Sequence, residues 1–278
     1  VTEQPSTTLA GPIPTPVAKK ADQYGVITSI LLPEEPFFEE AMSYAGALGI
    51  GWIRFDNQWS DTEPKDNQWD FSSTDKYVNT ALANGLKVLL VSDPDLDSSF
   101  CSAAGKRIKD VLRARILPRC TDEQLKDYIT HIVTRYKGKV THYEIGNEPD
   151  LRKTWTDYPE EYARVLALAY PTIKSIDPNA VVLIGGLASG GGQDSASGYL
   201  QKLIAAGALN NFDIMNYHTY SNKENITATF NQVKSLVGDK PIWITEVGLP
   251  SDPSNQQFNR STYPYPAGED GQSAYLKD

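Results

Sequence analysis

Residues 142–148 read His142-Tyr143-Glu144-Ile145-Gly146-Asn147-Glu148. Tyr143 and Ile145 alternate with His142, Glu144 and Gly146, and the run ends in Asn147 and Glu148. Successive side chains of a strand point to opposite faces. One face of this strand is therefore apolar, and the other carries polar groups toward its C-terminal end. Three further runs repeat the pattern. Trp52–Asp56 sets Ile53 and Phe55 against Arg54 and Asp56. Ile214–Tyr220 sets Met215 and Tyr217 against Asn216, His218 and Tyr220, and Ile242–Glu246 sets Trp243 against an even set that ends in Glu246. An open parallel sheet, covered on both faces, reads as more evenly apolar strands. In a barrel the apolar face meets the helices, and the polar groups converge at the C-terminal mouth, where barrel enzymes keep their chemistry.

The rest of the chain alternates in the same sense. Strand-like runs are expected at Tyr24–Leu32, Trp52–Phe55, Lys87–Val91, Val140–Ile145, Val181–Ile184, Asp213–Tyr217 and Pro241–Thr245. Helix-period segments separate them. In Asp122–Tyr136 the residues Leu125, Tyr128, Ile129, Ile132, Val133 and Tyr136 form one apolar stripe. Thr121 and Gln124 match a capping box at its start. In Pro159–Ile176 the stripe is Tyr162, Val165, Leu166, Ala169 and Ile173. Pro159 suits a first turn, Glu160 and Glu161 suit the positive end of the helix dipole, and Asp177-Pro178 ends the pattern. Strand–helix repetition implies a parallel sheet with helical crossovers. No G-x-G-x-x-G follows the first strand, and Gly185-Gly186 and Gly190-Gly191-Gly192 read as loop glycines, which disfavours a nucleotide fold. The expected fold class is α/β, a (β/α)8 TIM barrel. Seven strand runs are found, so the eighth strand and helix are expected to be missing from this chain.

Composition narrows the functional classes. The 278 residues carry 26 Lys plus Arg against 35 Asp plus Glu, a net charge of −9, and are 40% hydrophobic. That is enough apolar residue for a core. No apolar run approaches the roughly 20 residues of a membrane span, and an acidic chain without a basic block is a poor partner for nucleic acid. No Cys/His spacing makes a metal cluster, so no metal or cofactor is expected.

Glu148 and Glu246 stand just past the ends of the fourth and seventh strand runs, 98 residues apart. Two carboxylates at one mouth suit glycosidic cleavage. One protonates the leaving oxygen while the other attacks carbon or activates water. The motifs Asn147-Glu148-Pro149 and Thr245-Glu246 resemble the two catalytic motifs of the clan A glycoside hydrolases. The stretch Trp52-Ile53-Arg54-Phe55-Asp56, then Trp59, Glu63-Pro64, Trp69-Asp70-Phe71, Asp75 and Asn84-Gly85-Leu86-Lys87-Val88, is similar to glycoside hydrolase family 39 and its family 5-like relatives.

The resemblance implies a retaining mechanism with Glu148 as general acid/base and Glu246 as nucleophile. It implies that Asn147 binds the hydroxyl beside the reacting carbon, that Arg54 holds Glu246 ionised, and that Tyr220 of a His-x-Tyr motif donates to Glu246 while His218 lines the floor. Arg54 also has a plausible structural ion-pair partner in Glu144. Trp155 is a candidate sugar-stacking platform, with a packed loop tryptophan as the alternative. The expected substrate is an oligosaccharide or polysaccharide, with a lean toward endo-action. A carbohydrate-binding barrel of impaired activity is the competing reading. The chain is expected to act as a monomer.

Two features frame the domain. Residues 1–21 are expected to be a flexible Pro/Thr-rich leader, and 22–278 the catalytic barrel. Cys101 and Cys120 bracket a basic segment, Lys106–Arg119, and are expected to be bridged. The leader and that bridge point to a secreted, periplasmic or cell-surface protein.

Overall fold

The computed structural model describes residues 21–28, 33–94, 108–110, 115–117, 120–151, 155, 158–188, 195–250, 265 and 268–277. The expected leader is outside them up to residue 20, and Ala21 already belongs to a strand. The chain resolves into two compact units, Val1–Gly146 with Leu168–Val182, and Asn147–Ala167 with Leu183–Asp278.

The first unit contains β1 (Ala21–Ile27), α1 (Phe38–Ala47), β2 (Ile50–Gln58), the single turn α2 (Trp59–Thr62), α3 (Ser72–Ala83) and β3 (Lys87–Asp93). A short antiparallel hairpin of β4 (Ile108–Asp110) and β5 (Arg115–Leu117) follows, then α4 (Asp122–Tyr136) and β6 (His142–Ile145). The chain then runs through α5 (Pro159–Ile176) into β7 (Val181–Ile184). The large sheet has the order β1-β2-β3-β6-β7. Strands β1, β2, β3 and β6 pair in parallel, with Arg54 opposite Leu89 and Val91 opposite Glu144.

The first strand begins three residues before the expected Tyr24 and ends at Ile27, and residues 29–32 of the expected run are outside the described set. Pairing to a neighbour outweighs hydropathy here. Ala21 pairs with Ile50 and Gly25 with Trp52, with an irregularity between. Gly25 permits the close approach, since a Cβ there would stand 2.9 Å from the Cβ of Trp52.

The two faces of β2 separate as its alternation requires. On one, Phe55 stacks on Tyr77 of α3 at 3.8 Å, and Tyr77 in turn meets Phe38 of α1 at 5.5 Å. On the other, Arg54 reaches Glu144. Helix α4 spans the expected residues, and its six stripe residues are all buried. Both capping-box bonds form: the Gln124 N–H donates to Thr121 Oγ1 at 3.1 Å, and the Thr121 N–H to Gln124 Oε1 at 3.0 Å. Helix α5 also has the expected bounds, and its five stripe residues are buried, although Pro171 lies inside it.

The second unit contains β8 (Leu187–Ala188), α6 (Ala196–Ala205), β9 (Met215–Thr219), α7 (Lys223–Val237), β10 (Ile242–Val247) and α8 (Glu269–Lys277). Its parallel sheet has the order β10-β9-β8. Ser195 caps α6 and Asn222 caps α7, each accepting a backbone N–H three residues on. Helix α8 is tied back to the strand exits. Tyr275 Oη donates to the carbonyl of Ser221 at 2.9 Å, and Gln272 Nε2 to that of Leu249 at 2.8 Å.

One irregularity positions the site. Ile244 pairs with Tyr217 but Glu246 pairs with His218, so Thr245 is an extra residue in β10. Simple alternation would turn Thr245 away from the face that carries Glu246. A bulge cancels that rule locally.

Candidate active site

The second unit carries the functional cluster. Glu148 follows Gly146 and Asn147, and both Gly146 (φ 77°) and Glu148 (φ 46°) are left-handed. That conformation is cheap for glycine and costly for a glutamate. Strain at a single non-glycine residue persists where the surroundings impose it, and it collects at functional sites.

His218 on β9 is 1% exposed and joins the two glutamates. Its Nδ1 lies 3.0 Å from Glu148 Oε1 and 3.5 Å from Glu246 Oε1. Its Nε2 lies 3.0 Å from Thr245 Oγ1. The surrounding groups assign the tautomer. Nδ1 faces carboxylate oxygens, so it carries the proton and donates to Glu148. Nε2 faces the Thr245 hydroxyl, which itself donates to Asn216 Oδ1 at 3.0 Å. That hydroxyl accepts from Asn216 Nδ2 at 2.8 Å, and the Thr245 N–H donates to Asn216 Oδ1 at 3.3 Å. The bulge at Thr245 is what allows one strand to present both Thr245 and Glu246 to the same imidazole.

The donor atoms of Glu148, His218 and Glu246 all lie within 4.8 Å of one another. Glu246 has a second partner, since Tyr220 Oη donates to its Oε2 at 2.7 Å. The Tyr220 ring remains 40% exposed, and the side chains of Glu148 and Glu246 are 25% and 15% exposed. The carboxylates are therefore open to a ligand, while the imidazole between them is enclosed.

Gly186 makes room for that ring. A Cβ at this position would stand 2.0 Å from His218 Nε2. The Gly185-Gly186 pair is thus more than loop punctuation. Asp150 completes the surroundings. It is 2% exposed, and its Oδ1 accepts the Ala188 N–H at 3.0 Å. Burial pushes its carboxyl up to about 6, the Ala188 bond opposes that, and the negative charge of Glu148 adds to it.

The remaining expected site residues have surroundings of their own. Arg54 belongs to the first unit, where its Nε and Nη2 donate to the two oxygens of Glu144, each at 2.8 Å. Its Nη1 is 3.5 Å from Asp56. This is the structural ion pair. Asn147 is half-buried at the start of the second unit. Trp155 is not a stacking platform. It is 1% exposed, its ring packs on Tyr162 at 4.9 Å, and its carbonyl accepts from Tyr199 Oη at 2.7 Å. A ring enclosed by its own unit offers no face to a sugar. Trp243 is half-buried on β10. Cys120 is disulfide-bonded, and Cys101, the one other cysteine of the chain, is outside the described residues. The linear pattern assigns no site role of their own to Asn216, Thr245 and Asp150, and Gly186 reads there as a loop glycine. Asn216 shares strand parity with His218 and Tyr220, the signal that would have found it.

The family model described as Cellulase (glycosyl hydrolase family 5) matches residues 36–264. The chain belongs to glycosyl hydrolase family 5. Solved structures of related families share the fold of this family 5 chain. A family 39 glycoside hydrolase from the gut symbiont Bacteroides cellulosilyticus WH2 is 21% identical with a TM-score of 0.67, over 92% of this chain and 52% of that one. The family 5 chain thus spans about half the length of that protein. A GH53 catalytic domain from Ignisphaera aggregans is 17% identical with a TM-score of 0.62, over 95% of this chain and 82% of that one. The endoglucanase Cel5A of Pseudomonas stutzeri, solved with cellobiose, is 18% identical with a TM-score of 0.56, over 77% of this chain and 66% of that one. At these identities the likeness is one of fold, the (β/α)8 barrel of glycoside hydrolases. No helix among the described residues is long and apolar enough to cross a membrane.

Proposed function

We propose that the protein is a retaining O-glycoside hydrolase, with Glu246 as nucleophile and Glu148 as general acid/base. The observation that carries this reading is the spacing of the two carboxylates. Their facing oxygens are within 4.8 Å of each other. Retaining enzymes hold the pair about 5–5.5 Å apart, whereas inverting enzymes need roughly 6.5–9.5 Å to admit a water.

In the first step a Glu246 oxygen attacks the anomeric carbon, the bond to the leaving oxygen breaks, and that oxygen takes the proton of Glu148. Glu246 becomes a glycosyl ester. In the second step the Glu148 carboxylate takes a proton from water, the water oxygen attacks the same carbon, and Glu246 leaves as carboxylate. Two inversions give net retention. The Tyr220 hydroxyl stabilises Glu246 as an anion in the free enzyme and again as it departs. The His218 N–H lies beside both carboxylates and steadies whichever one is charged. Asn147 serves the hydroxyl next to the reacting carbon.

The substrate class is a β-linked oligosaccharide or polysaccharide, with endo-action favoured. The disulfide at Cys120 supports work in an oxidising compartment, secreted, periplasmic or at the cell surface. A panel of chromogenic β-glycosides beside polysaccharide digests identifies the sugar. Proton NMR of the first-formed product then tests the mechanism. Retained anomeric configuration is expected, and an inverted first product would refute Glu246 as nucleophile. Sugar binding without any turnover would favour the impaired carbohydrate-binding reading.

A further inference from the structure

We infer that Asp150 is a positioning residue that sets Glu148 for proton transfer to the leaving group, an inference that rests on the assignment of Glu148 as acid/base. Asp150 lies two residues beyond Glu148, in the same left-handed turn, and the Glu148 carbonyl accepts the Leu151 N–H at 3.0 Å. Its buried carboxylate accepts the Ala188 N–H at 3.0 Å. Ala188 is the last residue of β8 and stands in register with His218 on β9. His218 in turn holds Glu148 Oε1. The contacts close a loop from the Glu148 turn through Asp150 and β8 to β9, and back through His218 to the Glu148 carboxyl. Without the Asp150 link, the strained turn is held at this corner by the His218 contact on the very carboxyl that must give up a proton.

A charge-assisted bond to a backbone N–H is stronger than a neutral one. The link is therefore tight when Asp150 is ionised and slack when it is protonated. Among the described residues, the charges of Glu148 in its own turn and His218 on β9 act on Asp150, and β8 supplies the Ala188 N–H. Burial brings the ionisation of Asp150 to about 6, within the working range of an enzyme.

General acid catalysis matters in proportion to how poor the leaving group is. A misplaced Glu148 slows departure of an alkyl alcohol and barely affects a 2,4-dinitrophenolate. Wild type, Asp150→Asn and Glu148→Ala are compared on the 2,4-dinitrophenyl and methyl β-glycosides of whichever sugar the panel selects. At pH 7 Asp150→Asn should lose on the order of tenfold or more in kcat/KM on the methyl glycoside, and less than about threefold on the dinitrophenyl glycoside. The loss should shrink as the pH falls to about 5, where the wild-type carboxyl is itself neutral.

The wild type alone supplies a second readout should the variant fail to fold. Its methyl glycoside profile should carry an acid limb near pH 6 that the dinitrophenyl profile lacks. Equal losses on both substrates, or identical limbs, would overturn the inference while leaving the hydrolase reading intact. Absence of leaving-group dependence in Glu148→Ala would overturn both.

Discussion

Gly186 lies against the imidazole of His218, so close that any Cβ at residue 186 would stand 2.0 Å from Nε2 and 2.3 Å from Cδ2. The glycine is required by space rather than by backbone conformation. His218 is enclosed and bonded through both ring nitrogens, so a displaced ring forfeits its contacts to Glu148, Glu246 and Thr245 together.

Gly186→Ala should therefore cost on the order of a hundredfold in kcat/KM, the size of effect that follows a displacement of about 1 Å in a catalytic group. Circular dichroism should show the fold retained. Full activity in a folded Gly186→Ala protein would mean that the position of His218 is unimportant.

The two glutamates should respond differently to truncation. Glu246→Ala should abolish turnover of every substrate. Glu148→Ala should lose roughly 10²–10⁴-fold on poor leaving groups, the usual range for an acid/base residue, yet still form the glycosyl-enzyme from a 2,4-dinitrophenyl glycoside. Azide should speed the breakdown of that intermediate and yield a glycosyl azide, detectable by mass spectrometry. Azide rescue of Glu246→Ala with the same product configuration would reverse the assignment.

The left-handed backbone at Glu148 makes a separate prediction about stability. At an ordinary position glycine is less stable than alanine by roughly 0.5–1 kcal/mol. At φ 46° the order should invert. Glu148→Gly should be more stable than Glu148→Ala by about 1 kcal/mol in urea titrations. The ordinary order would show that the turn relaxes when the glutamate is removed.

Asp150 should make stability depend on pH in a definite direction. Its folded value of about 6 exceeds the ordinary 3.8. Between those values the folded protein binds more protons than the unfolded chain, so this carboxyl's contribution falls as the pH rises through that window. Asp150→Asn removes the term. The variant should gain on wild type between pH 4 and pH 7, by at most about 3 kcal/mol at 1.36 kcal/mol per unit. Chemical denaturation at the two pH values measures the gain, and a difference independent of pH would show that burial does not strain this carboxyl. Its activity should move in the opposite sense.

In the first unit, the Arg54–Glu144 pair is buried, with side chains 4% and 0% exposed. Removing one member leaves the other charged and enclosed. Arg54→Ala should destabilise by about 3–5 kcal/mol, and replacing both by Met and Gln should recover part of that. Equilibrium unfolding of the three variants decides it, and a loss below about 1 kcal/mol would indicate that water reaches Glu144.

Periodicity and end signals by themselves determined a large part of this protein. The stripes of α4 and α5, the capping box at Thr121 and the two faces of β2 are encoded within a few residues of each other, so a linear reading recovers them. The placement of Glu148 after one strand and of Glu246 near the end of another is equally local, whereas the contact of Tyr220 with Glu246 was implied by the family resemblance and not by periodicity. What depended on register and packing was not legible. The extra residue at Thr245 turns its hydroxyl toward His218 because β10 slips against β9 between Ile244 and Glu246, and alternation cannot announce a slip. The Trp155 ring packs on Tyr162 and its carbonyl accepts from Tyr199, and a tryptophan's neighbours in space are not its neighbours in sequence. The burial of Asp150 and the space kept by Gly186 have the same origin. Each is set where segments from different parts of the chain meet, and only the folded arrangement decides how much room and how much water that place contains.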